Sequence, residues 1–170
     1  MMEIPFTVDS KTSFEEKVPE GMDPYEVPSF FARGKSLGFH RTLNDDEVLV
    51  TADTVVICDG RIMGKPHSRA EAVEMLQFLS GRTHDVVSAI CVRHGDEVRV
   101  VSDTSRVTFD SLTDVAIRHY VDKYNPTDKA GGYGIQEWIG LVGISGIEGS
   151  FYTIMGLPTH LLFQLLSDAQ

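Results

Sequence analysis

The stretch that most narrows what this chain can fold into is Val48 to Pro66, VLVTADTVVICDGRIMGKP. A run so rich in Val, Leu and Ile reads as a strand buried on both faces. An Asp59-Gly60 turn and a Lys65-Pro66 exit follow it. Asp53 and Thr54 interrupt the run. An ionised carboxylate among apolar residues is costly unless something pairs with it. Asp53 is therefore placed where the strand opens onto a site, or opposite a cation, or as a structural acceptor for nearby backbone N–H groups. The residues alone leave all three open.

The flanking segments supply the other elements. Ile4 to Val8 reads as part of a strand, and Ser10 to Met22 as a polar loop. Asp23-Pro24-Tyr25-Glu26 reads as a helix start, with an Asp cap and Pro at the first helical position. Val27, Phe30 and Phe31 would face the core, and Lys35 comes near the helix end. Ser68 to Glu71 is a capping box for a helix with Ala72, Met75, Leu76 and Leu79 on one face. Gly81 ends it. Val86 to Arg93 predicts a strand, and His94-Gly95-Asp96 a turn. Val98 to Phe109 predicts one or two further strands, paired antiparallel. Thr113 caps a helix carrying Ile117, Tyr120, Val121 and Tyr124, stopped by Asn125-Pro126. Residues 131–149 are rich in glycine interleaved with apolar residues, a pattern for backbone packed close to a ligand or a strand. Phe151 to Met155 reads as a strand, and a last helix carries Leu161, Leu162, Leu165 and Leu166. Strands alternating with helices predict an α/β fold, and 170 residues suit one domain.

The formal net charge of −10 argues against a general grip on nucleic acid or an anionic membrane. It leaves room for a small phosphate ligand, because a few lysines or a divalent cation can reverse the sign inside a cleft. No apolar run approaches the roughly 18 to 20 residues of a membrane span. The first residues lack the basic-then-apolar pattern of a secretion signal. Cys58 and Cys91 lie in apolar runs and read as buried free thiols of a reducing cytoplasm, with a disulfide as the alternative. Oligomeric state stays open, a homodimer included.

The six histidines are scattered at spacings that suggest no zinc site, and neither common phosphate-loop motif occurs. What remains is a set of charged residues at element ends: Glu16, Lys35, Asp53, Lys65 and Lys129. Two carboxylates and several lysines are the parts for metal-assisted phosphoryl chemistry. They are equally the parts of a solvated surface.

Five motifs in order go further: ADTVV at 52–56, GKP at 64–66, LSGRTH at 79–84, DKAGGYGIQ at 128–136 and EGSFYTIMGLP at 148–158. Together they resemble the Maf family of nucleoside triphosphate pyrophosphatases over nearly the whole chain. The resemblance implies an elongated mixed sheet with flanking helices, and two lobes around a cleft. It implies hydrolysis of a nucleoside triphosphate to the monophosphate and pyrophosphate with Mg²⁺ or Mn²⁺. Asp53 matches the family's catalytic carboxylate, acting as base or metal ligand. Glu16 matches a second acidic metal-binding position, for which Glu15 is the alternative. Lys35 and Lys65 match two phosphate-binding lysines, and Lys129 lies in a matching segment. Thr54 and Gln136 match positions linked to nucleotide choice, in the pattern of the branch acting on dTTP and UTP. A Gln amide both donates to and accepts from a pyrimidine edge. Each residue also has a structural reading: Thr54 as a β-branched strand residue, Gln136 as the tie of a glycine turn, Lys129 as the partner of Asp128. The family's opening strand and its S-x-S-P-R-R loop have no counterpart here. That leads to the expectation of a shortened N-terminus, and keeps two rivals in view: a pyrophosphatase for another nucleotide such as 7-methyl-GTP, and a non-catalytic nucleotide-binding or cell-division regulatory protein.

Overall fold

A computed structural model describes residues 3–167. In chain order the elements are α1 (Val27–Leu37), β1 (Val48–Cys58), β2 (Arg61–Met63), α2 (Arg69–Leu79), β3 (Thr83–His94) and β4 (Glu97–Phe109). Then come α3 (Asp114–Tyr124), α4 (Trp138–Gly143), β5 (Ile144–Glu148), α5 (Phe151–Ile154) and α6 (Thr159–Ser167). The strands form one sheet in the order β2-β1-β3-β4-β5. The α/β class holds, but every pairing among the described residues is antiparallel, so the sheet is not mixed. The reason is chain direction. The Asp59-Gly60 turn reverses β1 into β2 before α2 begins, so the helix returns the chain antiparallel to β1. Val98 to Phe109 is part of a single long strand.

Local chemistry sets the helix ends. The Asp23 carboxylate accepts from the Tyr25 N–H ahead of a single 3₁₀ turn, which leads into α1. The Ser68 hydroxyl accepts from the Glu71 N–H, while the Glu71 carboxylate accepts from the His67 N–H. Thr113 caps α3, and Asn125 closes it in the left-handed conformation.

Period-two alternation gives the sheet two differently covered faces. Thr51, Asp53, Val55 and Ile57 of β1 look toward α1. There Val55, Ile57 and Val87 pack with Val27 and Phe31, and Ala32 meets Ala89 and Cys91. The Thr51 hydroxyl donates to the Ala32 carbonyl at 2.6 Å and ties strand to helix. The opposite face carries two clusters. One joins Val56, Val86, Val107 and Phe109 to α2, α3 and the glycine-rich segment. The other joins Ile90 and Val92 to Leu162 of α6. These helix groups are the two lobes the resemblance implied.

Four further expectations are corrected. Residues 4–8 form no strand: Phe6 and Val8 are more than four-fifths exposed and no ladder pairs with them. The run from Phe151 to Met155 is no strand: Phe151–Ile154 is helical, because the Ser150 hydroxyl caps the Thr153 N–H, and the edge strand lies earlier at β5. Burial on both faces of β1 holds for Val55 to Cys58 only. Beyond that point β2 no longer runs beside the strand. Phe30 likewise lies at the helix surface while Val27 and Phe31 are buried.

Candidate active site

The short reach of β2 creates the site. It pairs with Val56 to Cys58 alone, so Asp53 and Thr54 lie at an edge of β1 uncovered among the described residues. The two side chains point to opposite faces. A cavity of about 400 Å³ gathers both, together with Lys35, Lys65, Asp128, Lys129, Tyr133, Gly134, Gln136 and the turn Ile154 to Gly156. Six of the seven residues expected at a site therefore line one hollow. The seventh, Glu16, reaches it through Lys35.

Lys35 organises the α1 side. Its ammonium donates to Oδ1 of Asp53 at 2.6 Å and lies 2.8 Å from Oε1 of Glu16. Burial is the largest influence on Asp53 and raises its pKa from the ordinary aspartate value, against the pull of Lys35. Burial also works against charge on Lys35, but the two carboxylates outweigh it and raise the lysine's pKa. At Glu16 burial opposes ionisation too, and the ion pair with Lys35 wins and lowers its pKa. Lys65 is held in no ion pair among the described residues, yet its charge is felt at Asp53, Glu16 and Asp128.

The glycine-rich segment builds the opposite wall. Gly131 has φ +69°, and a Cβ there would lie 2.9 Å from Cγ2 of Val56. Only glycine lets this backbone lie against β1. Lys129 is paired with Asp128 at 2.9 Å and with Glu137 at 3.4 Å. Glu137 also accepts from the Tyr120 hydroxyl, which in turn accepts from the Gly134 N–H at 2.9 Å. Gln136 is exposed at the cavity rim, its side chain uncommitted among the described hydrogen bonds.

Thr54 faces the seam between the lobes. Its Oγ1 lies 2.7 Å from Oγ of Ser88, and Ser88 donates to the Thr153 carbonyl at 2.7 Å. Tyr133, on the cavity wall, hydrogen-bonds at 2.7 Å to Nε2 of His84.

Sequence reading missed Ser88, His84, Tyr133, Tyr120 and Glu137. Ser88 had a signal of the kind that marked Asp53, a lone polar residue in an apolar run. His84 and Tyr133 lie inside two of the five motifs, LSGRTH and DKAGGYGIQ, without being singled out, while nothing in the sequence pointed to the link between Tyr120 and Glu137.

Among the described residues no three His, Cys, Asp or Glu side chains cluster as a metal cage. Asp53 and Glu16, drawn together on Lys35, suit the other mode, in which a hard divalent ion takes one or two carboxylates and completes its shell with phosphate and water.

Comparison with known proteins places the chain in a family. The family described as Maf-like protein matches residues 1–169. A protein of Porphyromonas gingivalis named dTTP/UTP pyrophosphatase is 48% identical over 169 residues, covering 98% of this chain and 85% of its own length. Proteins of the same name from Parabacteroides distasonis and Bacteroides thetaiotaomicron are 45% and 42% identical, covering 97% and 94% of the chain and 86% and 83% of their own lengths. A match spanning nearly all of the chain makes this chain a member of the Maf-like protein family.

Proposed function

We propose that this chain is a single Maf-like domain that hydrolyses dTTP and UTP to the monophosphate and pyrophosphate. The observation that carries the reading is the largely buried Asp53 carboxylate set among three lysines in one cavity, in a protein whose net charge is −10. In an acidic protein such a local gathering of ammonium groups suits a triphosphate tail. The names of the relatives point to the same substrates.

In this reading Lys65 and Lys129 hold the phosphates. Asp53 accepts a proton from the water that attacks the α-phosphorus, and the α–β anhydride bond breaks as pyrophosphate leaves. Its raised pKa suits a general base. Asp53 and Glu16 would hold a divalent cation, Mg²⁺ or Mn²⁺, which supplies charge neutralisation at the phosphates. Lys35 keeps the two carboxylates together. Thr54 and Gln136 contact the base. The free buried thiols of Cys58 and Cys91 suit a reducing cytoplasm.

The test is pyrophosphate release from dTTP, UTP, CTP, ATP and 7-methyl-GTP with Mg²⁺ or Mn²⁺. Release from dTTP and UTP above the others is expected, with a loss of about a hundredfold or more in Asp53→Asn. Full turnover by Asp53→Asn, or tight nucleotide binding without turnover in the unaltered protein, would overturn it.

A further inference from the structure

Ser88 sits on β3 directly opposite Thr54, in the polar seam between the two lobes, and is fully buried. Its Oγ has two neighbours within hydrogen-bond range: the Thr153 carbonyl at 2.7 Å and Oγ1 of Thr54 at 2.7 Å. A serine hydroxyl carries one hydrogen. A carbonyl has none to give, so the Ser88 hydrogen goes to Thr153. The hydrogen between Ser88 and Thr54 must then come from Thr54. The Thr153 carbonyl is itself fixed, because it also accepts from the Gly156 N–H at 3.1 Å. The one other acceptor beside the Thr54 hydroxyl among the described residues, the Gly156 carbonyl, is 3.5 Å away.

The consequence reaches the cavity that Thr54 lines. With its hydrogen committed inward, Oγ1 of Thr54 has only lone pairs left to offer a ligand. We infer that Ser88 is a positioning residue for nucleotide choice: it makes Thr54 an obligate acceptor, matched to the imide N3–H of uracil or thymine and mismatched to the bare N3 of cytosine. The two acceptors facing each other in a cytosine complex would leave both unpaired in a partly desolvated site. This rests on the dTTP/UTP reading above and adds to it the residue that sets the hydrogen's direction.

Steady-state turnover of UTP and CTP by the full chain tests it. Ser88→Ala frees the Thr54 hydroxyl to rotate and donate, so the ratio of kcat/KM for UTP over CTP falls at least tenfold. Ser88→Thr keeps a hydroxyl in place and retains the ratio. In a Thr54→Val background, Ser88→Ala changes the ratio no further. Should Ser88→Ala fail to fold, Ser88→Cys, close in size but a weak acceptor, must show the same fall. A purely structural Ser88 would lower turnover of both nucleotides equally, and that result overturns the inference while leaving the dTTP/UTP reading intact. If the unaltered protein does not prefer UTP to CTP, that reading fails and the inference falls with it.

Discussion

His84, on β3, and Tyr133, in the glycine-rich wall of the cavity, share a 2.7 Å hydrogen bond inside the protein. The imidazole also stacks on Phe109, and its Nδ1 has no partner among the described residues. Protonation would create a charged ring with an N–H that nothing accepts. Burial accordingly pushes the His84 pKa down from 6.5 to about 4.

Acid should therefore weaken the fold in a defined window. The unfolded chain takes up this proton as pH falls through about 6.5, and the folded chain resists until about 4. Stability is full above the upper value and declines by about 3 kcal/mol across the window. Urea unfolding at stepped pH measures it. His84→Phe should flatten the profile over that range, and an unchanged slope would refute the assignment.

Lys35 is expected to matter more for turnover than for stability. Its removal in Lys35→Met leaves Asp53 unpaired with its side chain 9% exposed, whereas Glu16 at 42% is rescued by water. A loss of about 2 kcal/mol is expected on that basis. The kcat/KM for dTTP should drop about a hundredfold as the two carboxylates separate. Lys35→Arg should recover little, since a planar fork cannot serve both carboxylates as a compact ammonium does. Denaturation curves beside dTTP kinetics check both halves.

Glu137 links two functions and should separate them on mutation. Its carboxylate accepts from Tyr120, whose oxygen anchors the Gly134 N–H, and it pairs with Lys129. Glu137→Gln keeps an acceptor for Tyr120 but releases the lysine. KM for the nucleotide should rise several-fold with kcat nearly unchanged. Tyr120→Phe should instead cost about 2 kcal/mol of stability, because it leaves the Gly134 N–H and the Glu137 carboxylate without their partner.

Gly140 tests how tightly the far end of the wall is built. A Cβ there would lie 1.9 Å from the carbonyl oxygen of Ile135, a backbone atom with nowhere to go. Gly140→Ala should cost about 3 kcal/mol or more. Because Ile135 precedes Gln136, it should also raise KM for dTTP. Thermal unfolding and kinetics of the same variant read out both effects.

Much of this molecule could be read without coordinates, and the reason is locality. Helix ends at Ser68, Thr113 and Asn125 depend on side chains bonding backbone a few residues away, so spacing alone discloses them. The Val-rich run around Asp53 announces a strand through its own period and composition. The segment at Phe151 misled because its apolar residues suit either period, and a single Ser150 cap tips it to helix. The run at Ile4 misled because strand propensity does nothing without a partner strand.

What the chain's order of residues determined by itself was the set of elements and the presence of a carboxylate that needed a partner. The tertiary structure alone decided who that partner is. Lys35 and Asp53 are eighteen positions apart and Thr54 and Gly156 more than a hundred. They meet because β2 is short, β1 is left with an open edge, and helices on both faces close around it. Hydrogen-bond direction at Thr54 is likewise invisible in one dimension. It follows from a serine and a carbonyl that only the folded sheet brings to the same point.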